Sequence, residues 1–210
     1  MERRHRLRAV RNLIAAALLL AVFWWLYSCP LPTREMRLRR SERQLLVGES
    51  DIVFSYESGI RVERGSLVML VSVGERTVQT CSDYGDTRVN HRLEVWPKNP
   101  AGATLVALYG EIEGLTAGLV AVEPPASAER AVLTIYWPFD IWFDGEEVVV
   151  TAEGERKGEV FLFWMETTED VPYNKILRLS RTTRVSDLPP YTLEFFSGDG
   201  ALLETVTNMA

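Results

Sequence analysis

A continuous apolar run near the N-terminus constrains this chain more than any other feature. Residues 13–29 read LIAAALLLAVFWWLYSC and contain no charged side chain. As an α-helix the run is roughly 25 Å long, close to the thickness of about 30 Å of a bilayer's hydrocarbon core. A buried helix of a water-soluble domain normally keeps a polar stripe, and this run has none. The sequence therefore predicts a single transmembrane anchor at 13–29.

The flanks of this run are typical of a membrane interface. A basic tail at 1–12 precedes the run, and Pro30 and Pro32 stop the helix after it. Amphipathic aromatic rings favour the headgroup layer, and arginine side chains are attracted to anionic lipid. We expect membrane-interface positions at Trp24, Trp25, Tyr27, Arg37 and Arg40.

Two processing signals are alternatives to a retained anchor. The basic tail suits a signal peptide, but cleavage requires small residues, and bulky Trp, Leu and Tyr side chains occupy that end of the run. The tetrapeptide LYSC at 26–29 resembles a bacterial lipobox, which implies lipidation of Cys29. A retained span and a lipid both keep the body at a membrane.

Charge divides the chain into two parts. Residues 1–48 hold ten arginines and three acidic residues, whereas residues 49–210 hold 13 basic and 26 acidic residues. The basic part suits membrane lipid, and the acidic part argues against nucleic acid as a partner, because phosphate backbones bind basic surfaces. Arginines flank the apolar run equally on both sides, so the positive-inside rule gives a tie. We expect the short tail to stay in the cytoplasm and the body to lie outside it.

The segment after the prolines reads as a short basic helix. Thr33 is a candidate N-cap, the interior lacks Gly and Pro, and Gly48 suits a C-cap. We predict a juxtamembrane helix within residues 30–48. Two roles remain open for it: a helix that lies on anionic headgroups, and a solvated spacer.

Short β-rich runs separated by turn residues fill the rest of the chain. Since no long segment shows a helical period, we predict an all-β body of one large or two small β-sandwiches. Pro124-Pro125 is the best internal boundary, between a β-rich domain at 49–123 and a second domain at 126–210. The predicted strands are 51–57, 60–63, 66–73, 76–81, 91–96, 103–109, 117–123, 130–137, 146–152, 159–166, 191–196 and 201–206.

The last segment, DLPPYTLEFFSGDGALLETV at 187–206, resembles the two closing strands of immunoglobulin-like and fibronectin type III-like modules. Tyr191 follows Leu188-Pro189 at a strand start, as in the tyrosine corner of those modules. The resemblance implies an immunoglobulin-like β-sandwich at 126–210. It implies a fold and not a function.

The stretch RTVQTCSDYGDTRVNHRLEVW at 76–96 holds one of two cysteines and one of two histidines. It resembles the cysteine loop of sortase transpeptidases at Thr80, Cys81, Tyr84, Gly85 and Arg92. The resemblance implies a nucleophile at Cys81 and a substrate-binding or oxyanion-binding role for Arg92. A cysteine nucleophile needs a positioned base, but the family's histidine lies upstream, where this chain has only His5. We therefore predict a strand, a turn and a strand, with a cysteine transpeptidase or hydrolase as the alternative.

The aromatic run YWPFDIWFDGEE at 136–147 is the main candidate for a binding surface. Trp and Tyr concentrate at binding hot spots, and their rings stack on sugars, so the run suits an envelope protein or a glycan as partner. The alternative is that these rings fill the core between strands. The candidate partner-binding residues are Tyr136, Trp137, Phe139, Trp142 and Phe143.

The remaining signals for chemistry are weak. The acidic residues of the aromatic run match no EF-hand spacing, and two isolated cysteines exclude a multi-cysteine zinc site. They are Asp140, Asp144, Glu146 and Glu147. No nucleotide or phosphate motif is present, so we predict no metal, no cofactor and no catalytic residue. The sequence predicts a single-pass protein of the cell membrane with an extracytoplasmic body that binds or scaffolds at the cell envelope.

Overall fold

The body of the protein is β-rich. The computed structural model describes residues 2–26, 33–62, 65–83, 91–112, 116–137, 148–166, 179 and 188–209. Strands make up more than half of the residues in these ranges, about twice the share in an average globular protein. They form two antiparallel sheets. The β-rich character predicted for the body is therefore confirmed.

Two helices precede the sheets. α1 spans Glu2–Leu26, and α2 spans Arg34–Leu45. α1 begins inside the basic tail, upstream of the predicted start at residue 13, because Arg and Leu both favour helix. The predicted anchor and the tail therefore share one helix as far as Leu26.

The two ends of α2 follow the predicted capping chemistry only at the start. Thr33 is the N-cap, as predicted, and its Oγ1 accepts the backbone N–H of Met36 at 3.1 Å. The predicted C-cap at Gly48 is wrong. Leu46 ends the helix in the left-handed conformation at φ 56°, and Val47 N–H donates to the carbonyl of Glu42 at 3.0 Å. The two bonds of this ending satisfy carbonyls of the last turn, so the helix stops before the glycine.

Eleven strands lie within the described residues. Every predicted strand coincides with one of them, and the runs 51–57 and 60–63 merge into the first. The strands are β1 (Asp51–Val62), β2 (Gly65–Val73), β3 (Thr77–Asp83), β4 (His91–Pro97), β5 (Thr104–Ile112), β6 (Thr116–Val122), β7 (Arg130–Trp137), β8 (Val148–Lys157), β9 (Val160–Glu166), β10 (Tyr191–Phe196) and β11 (Leu202–Thr207).

The first four strands form a four-stranded meander in the order β1-β2-β3-β4. Neighbouring strands are antiparallel, with Val71 opposite Thr80 and Thr80 opposite Glu94. Residues 68–71 of β2 are all buried, and successive residues of a strand point to opposite faces. Both faces of this sheet are therefore covered along β2.

The other seven strands form a sheet in the order β11-β10-β7-β8-β9-β6-β5. β8 joins its two halves, since residues 148–154 pair with β7 and residues 155–157 pair with β9. The rings of Phe161 in β9 and Phe195 in β10 lie 5.7 Å apart. Side chains of the two halves therefore meet in one core, although β9 and β10 are not paired.

One hydrophobic core connects the two sheets. Trp96 in β4 and Phe163 in β9 are fully buried in it, and Tyr56 in β1 contacts the ring of Trp164 in β9 at 5.3 Å. β5, β6 and β9 carry consecutive buried residues and are therefore covered on both faces. β7 and β10 instead alternate between buried and partly exposed residues. The centre of the body thus lies at β5, β6 and β9.

The predicted internal boundary at Pro124-Pro125 lies between β6 and β7, which belong to the same sheet. The backbone N–H of Ala128 donates to the carbonyl of Pro125 at 2.9 Å, so the segment is a compact turn. The chain passes from one sheet to the other between β4 and β5 instead. The division into domains at 49–123 and 126–210 and the β-sandwich class stay predictions.

Tyr191 begins β10, as predicted, and is buried. Its backbone N–H donates to Asn208 Oδ1 at 2.7 Å, and its carbonyl accepts the hydroxyl of Thr207 at 2.8 Å. Both bonds join the start of β10 to the end of β11 across the hairpin that turns at Gly200. The immunoglobulin-like resemblance of this hairpin stays a prediction.

Candidate functional site

α1 carries a segment that the body leaves uncovered. The segment Arg6–Trp25 is long and apolar enough to cross a membrane, and none of it is buried among the described residues. Leu19 is 70% exposed, and Trp25 is 77% exposed. Burial of one such side chain stabilises by about 1.5–3 kcal/mol, so a row of them favours an apolar medium strongly. α1 is therefore the first candidate for a functional surface.

The predicted membrane-interface residues fall on both helices. Trp24 is 49% exposed near the end of α1, and Trp25 stands out further. Tyr27 lies outside the described residues. Arg37 and Arg40 are half-buried, so neither is a fully solvated side chain. Their role at headgroups stays a prediction.

α2 is docked on the body. Leu38 has no exposed surface, and Glu42, one turn further along the same face, is 1% exposed. α2 contacts β4, and its other residues remain half-buried or exposed wherever the structure describes their side chains. A solvated spacer helix would leave Leu38 and Glu42 in water, so that alternative does not fit the observed burial.

The carboxylate of Glu42 is the centre of a buried polar cluster. Glu42 Oε1 accepts the backbone N–H of Ser50 at 3.0 Å and the Ser50 hydroxyl at 2.5 Å. Ser50 Oγ also lies 2.8 Å from the hydroxyl of Ser72 in β2. A carboxylate only accepts, so Ser50 donates to Glu42 and Ser72 donates to Ser50. We name Glu42, Ser50 and Ser72 the latch cluster.

Arg39 completes the charge balance of the latch cluster. Its Nη1 donates to Glu42 Oε2 at 3.0 Å. Burial lowers the pKa of Arg39, but the hydrogen bond and the charge of Glu42, together with the charges of Glu49 and Glu35, outweigh burial, so the pKa is raised. Arg39 therefore stays cationic beside the buried carboxylate, which is the condition for keeping such a charge inside a protein.

Gln79 in β3 extends this polar contact. Its Nε2 donates to the carbonyl of Gly48 at 3.4 Å, and its side chain has no exposed surface. Its Oε1 is buried without a hydrogen-bond partner. Since Ser72 and Gln79 are directly opposite each other in neighbouring strands, they share one face of the sheet with the latch cluster.

The candidate aromatic surface is only partly described. Trp137 ends β7 and is 4% exposed, so its ring belongs to the core and is not offered to a partner. Tyr136 is half-buried, and its backbone N–H donates to the carbonyl of Pro190 at 2.8 Å. Phe139, Trp142 and Phe143 lie outside the described residues. The partner-binding role of the other residues of this run stays a prediction.

Cys81 lies inside β3 and is buried against Val68, Leu70 and Leu93. Leu93 is directly opposite Cys81, and His91 is opposite Asp83 at the far end of the strand pair. The strand–strand arrangement predicted for this stretch is thus present on both sides of residues 84–90, which lie outside the described part of the chain. A nucleophile must reach its substrate, and Cys81 is covered.

Metal ligands do not gather in the described ranges. Among these residues no group of three His, Cys, Asp or Glu side chains is close enough to hold an ion. The four acidic residues of the aromatic run, which are Asp140, Asp144, Glu146 and Glu147, lie outside them.

Sequence reasoning missed the latch cluster. Leu38 and Glu42 are spaced four apart, so they share a helix face, and that spacing was the available signal. Nothing local marks Ser50 or Ser72 as partners of Glu42, because they lie in other elements.

Comparisons with protein-family models, curated proteins and solved structures found no match to this chain. The fold and the uncovered helix define a class of architecture: a β-rich body that follows an N-terminal apolar helix.

Proposed function

We propose that this protein is a single-pass membrane protein whose β-rich body binds or scaffolds a partner at the cell envelope and performs no catalysis. The observation that carries the proposal is the segment Arg6–Trp25, which is apolar, helical and wholly unburied. A bilayer supplies the apolar medium that these side chains lack, and it satisfies a helix whose backbone bonds are internal.

The body lies outside the cytoplasm in this proposal. The short tail before the apolar run holds five arginines, and moving them across a bilayer is unfavourable. Single-cysteine variants in the exposed turn at Glu159, labelled in intact cells by a membrane-impermeant maleimide, test this orientation. Labelling only after lysis would place the body inside.

Two observations support a binding role over a catalytic one. Cys81 is buried, which does not favour the transpeptidase alternative. Residues 49–210 hold twice as many acidic as basic residues, so a partner with a basic surface is favoured electrostatically. We infer that the partner is an envelope protein. The alternative is a glycan that stacks on the aromatic run, and a Trp142→Ala variant should then lose glycan binding.

Anchoring is tested by extraction of membranes at alkaline pH followed by flotation. We expect the wild-type protein to float with the lipid. Leu19→Arg combined with Leu20→Arg places two charges in the apolar run, each costing about 2.5–3.5 kcal/mol at a bilayer centre, and should release the protein. Leu202→Arg, at an exposed leucine of β11, is the matched control and should leave flotation unchanged. Extraction of the wild-type protein without detergent contradicts the proposal.

Partner binding is tested by crosslinking in intact membranes, followed by purification under denaturing conditions. We expect one partner to be recovered repeatedly, and its recovery to fall with rising salt during the crosslinking step, because salt screens the attraction between opposite charges. Recovery of this chain alone at every salt concentration contradicts the binding role.

A further inference from the structure

We propose that α2 is a rigid connector that fixes the position of the membrane anchor relative to the four-stranded sheet. The latch cluster holds α2 in its place on that sheet. The inference rests on the proposed membrane function, and it adds to it a fixed orientation of the body relative to the bilayer. Four features of the described residues carry it.

The first feature is the short distance along the chain between the two helices. α1 ends at Leu26, and Thr33 caps α2. Seven residues span at most about 25 Å even when fully extended. The start of α2 therefore stays within about 25 Å of the end of α1, which limits how far the docked body can move from the bilayer.

The second feature is the pair of buried residues on α2. Leu38 and Glu42 are both buried, although nine of the twelve residues of α2 are polar or charged and the other two apolar residues, Met36 and Leu45, are exposed. Leu38 supplies apolar burial, and Glu42 supplies directional hydrogen bonds one turn away. Two contacts of different chemistry fix both the rotation and the position of the helix.

The third feature is the geometry of the latch cluster. The carboxylate of Glu42 accepts two hydrogen bonds from Ser50 and one from Arg39. The hydroxyl of Ser50 is also hydrogen-bonded to Ser72 in β2. A rotation or a shift of α2 by one residue would leave the carboxylate buried without these donors. A buried charge without partners is strongly unfavourable, so a rotated or shifted position of α2 on the sheet has a higher free energy than the observed one.

The fourth feature is the short connection from α2 to β1. Val47 N–H bonds back to Glu42, Gly48 accepts from Gln79 in β3, and Ser50 is held by Glu42. With Leu46 N–H bonded to the carbonyl of Arg43, four of the five residues between α2 and β1 are thus bonded to the helix or to the sheet. The connection from α2 to the body is therefore not a flexible linker.

The test measures two quantities separately: the docking of α2 on the body, and the distance of the body from the bilayer. The full-length protein is placed in phosphatidylcholine vesicles that contain an acceptor dye on a trace of headgroups. A donor dye is attached at Glu159→Cys, in the exposed turn between β8 and β9, in a Cys29→Ser background. Donor lifetimes report the distribution of distances between the body and the headgroup layer, and amide hydrogen exchange reports the docking of α2.

The variants are Glu42→Ala and its matched control Glu35→Ala, an exposed glutamate on the same helix that lies 4.0 Å from Arg39. We expect a narrow lifetime distribution for the wild type and for Glu35→Ala. Glu42→Ala should broaden it and should speed amide exchange in α2 by about tenfold or more, as expected when local opening becomes easier by at least 1.4 kcal/mol. If Glu42→Ala fails to fold, as judged by near-ultraviolet circular dichroism, Ser72→Ala releases the latch only from β2 and should broaden the distribution less.

The outcomes separate this inference from the proposed function. A wild-type protein that does not insert into vesicles overturns the membrane function, while amide exchange in detergent still compares the two glutamate variants. If the wild-type protein inserts but its lifetime distribution is as broad as that of Glu42→Ala, the proposed role of α2 as a rigid connector is wrong. Equal exchange in Glu42→Ala and Glu35→Ala also overturns it.

Discussion

The carboxylate of Glu204 accepts a hydrogen bond from the backbone N–H of Ala103 at 3.0 Å, across 101 positions of sequence. Glu204 belongs to β11, and Ala103 immediately precedes β5, so the bond joins the two edge strands of the seven-stranded sheet. A Cβ atom on the neighbouring Gly102 would collide with that carboxylate. The carboxylate of Glu204 therefore links the two edge strands, and Gly102 leaves the room that it occupies.

Removal of this acceptor should weaken the link between the two edge strands. We expect Glu204→Ala to lower the free energy of unfolding by about 1–2 kcal/mol, because a partly buried N–H loses a charged acceptor. Urea unfolding followed by tryptophan fluorescence measures the change. Glu204→Gln keeps a carbonyl acceptor in the same place and should lose less; equal losses in the two variants would contradict this assignment.

Gly154 of β8 lies against the rings of Phe161 and Phe163 in β9. A Cβ atom there would be 2.7 Å from Phe163 Cε1 and 3.3 Å from Phe161 Cδ1, and both rings are fully buried. We expect Gly154→Ala to destabilise by about 1–3 kcal/mol through overpacking. Gly48→Ala is the control, because a Cβ at Gly48 meets no atom within 4 Å. A neutral Gly154→Ala in the same urea titration would show that the two rings yield easily.

Leu46 ends α2 in a conformation that suits glycine. Its φ is 56°, and its side chain is 91% exposed, so it gains almost nothing from burial. We expect Leu46→Gly to raise the free energy of unfolding by about 0.5–1 kcal/mol, because glycine adopts the left-handed region without strain. Leu46→Ala keeps the strain and should give no gain. An equal gain from alanine would assign the effect to loss of the exposed leucine.

Tyr191 gives the body a defined response to alkaline pH. Burial raises the pKa of Tyr191, so the folded state keeps a proton that the unfolded state has lost. Its contribution to stability is fully present below the unfolded pKa of about 10 and is lost as the pH rises through the folded pKa. We expect Tyr191→Phe to lose less stability than the wild type over that interval, measured by thermal unfolding at stepped pH. Parallel pH profiles would contradict the assignment.

Cys81 should behave as a structural thiol. It is 3% exposed within β3, so we expect slow reaction with an aromatic disulfide reagent at neutral pH and rapid reaction in urea. The measurement uses a Cys29→Ser background, so that only one thiol reports. Rapid labelling of the folded protein would revive the cysteine transpeptidase alternative.

Local sequence patterns located the strands well. The predicted runs 130–137 and 191–196 match β7 and β10 residue for residue, because alternating apolar residues and adjacent turn residues are local signals. The apolar helix was equally readable, since it depends only on composition and length. The ends of α2 were read correctly only at Thr33, where the capping side chain bonds within its own helix.

Contacts between distant segments could not be read in the same way. Trp137 had two open roles, and it lies in the hydrophobic core that connects the two sheets, to which distant strands contribute. In the sequence Glu42 is one more charged residue of a basic helix, and only the fold brings Ser50 and Ser72 beside it. Such partners come from other elements, and one-dimensional spacing carries no information about which elements meet.

By itself the sequence determined where the helix and the strands form, because hydrophobic period, turn residues and the first helix cap act over a few residues. Only the tertiary structure decided which faces are covered. It buries β5, β6 and β9 on both sides, buries Glu42 of α2 beside the four-stranded sheet and leaves the apolar segment of α1 exposed. Burial is a property of neighbours in space, and those neighbours are set by strand pairing and layer packing over the whole chain.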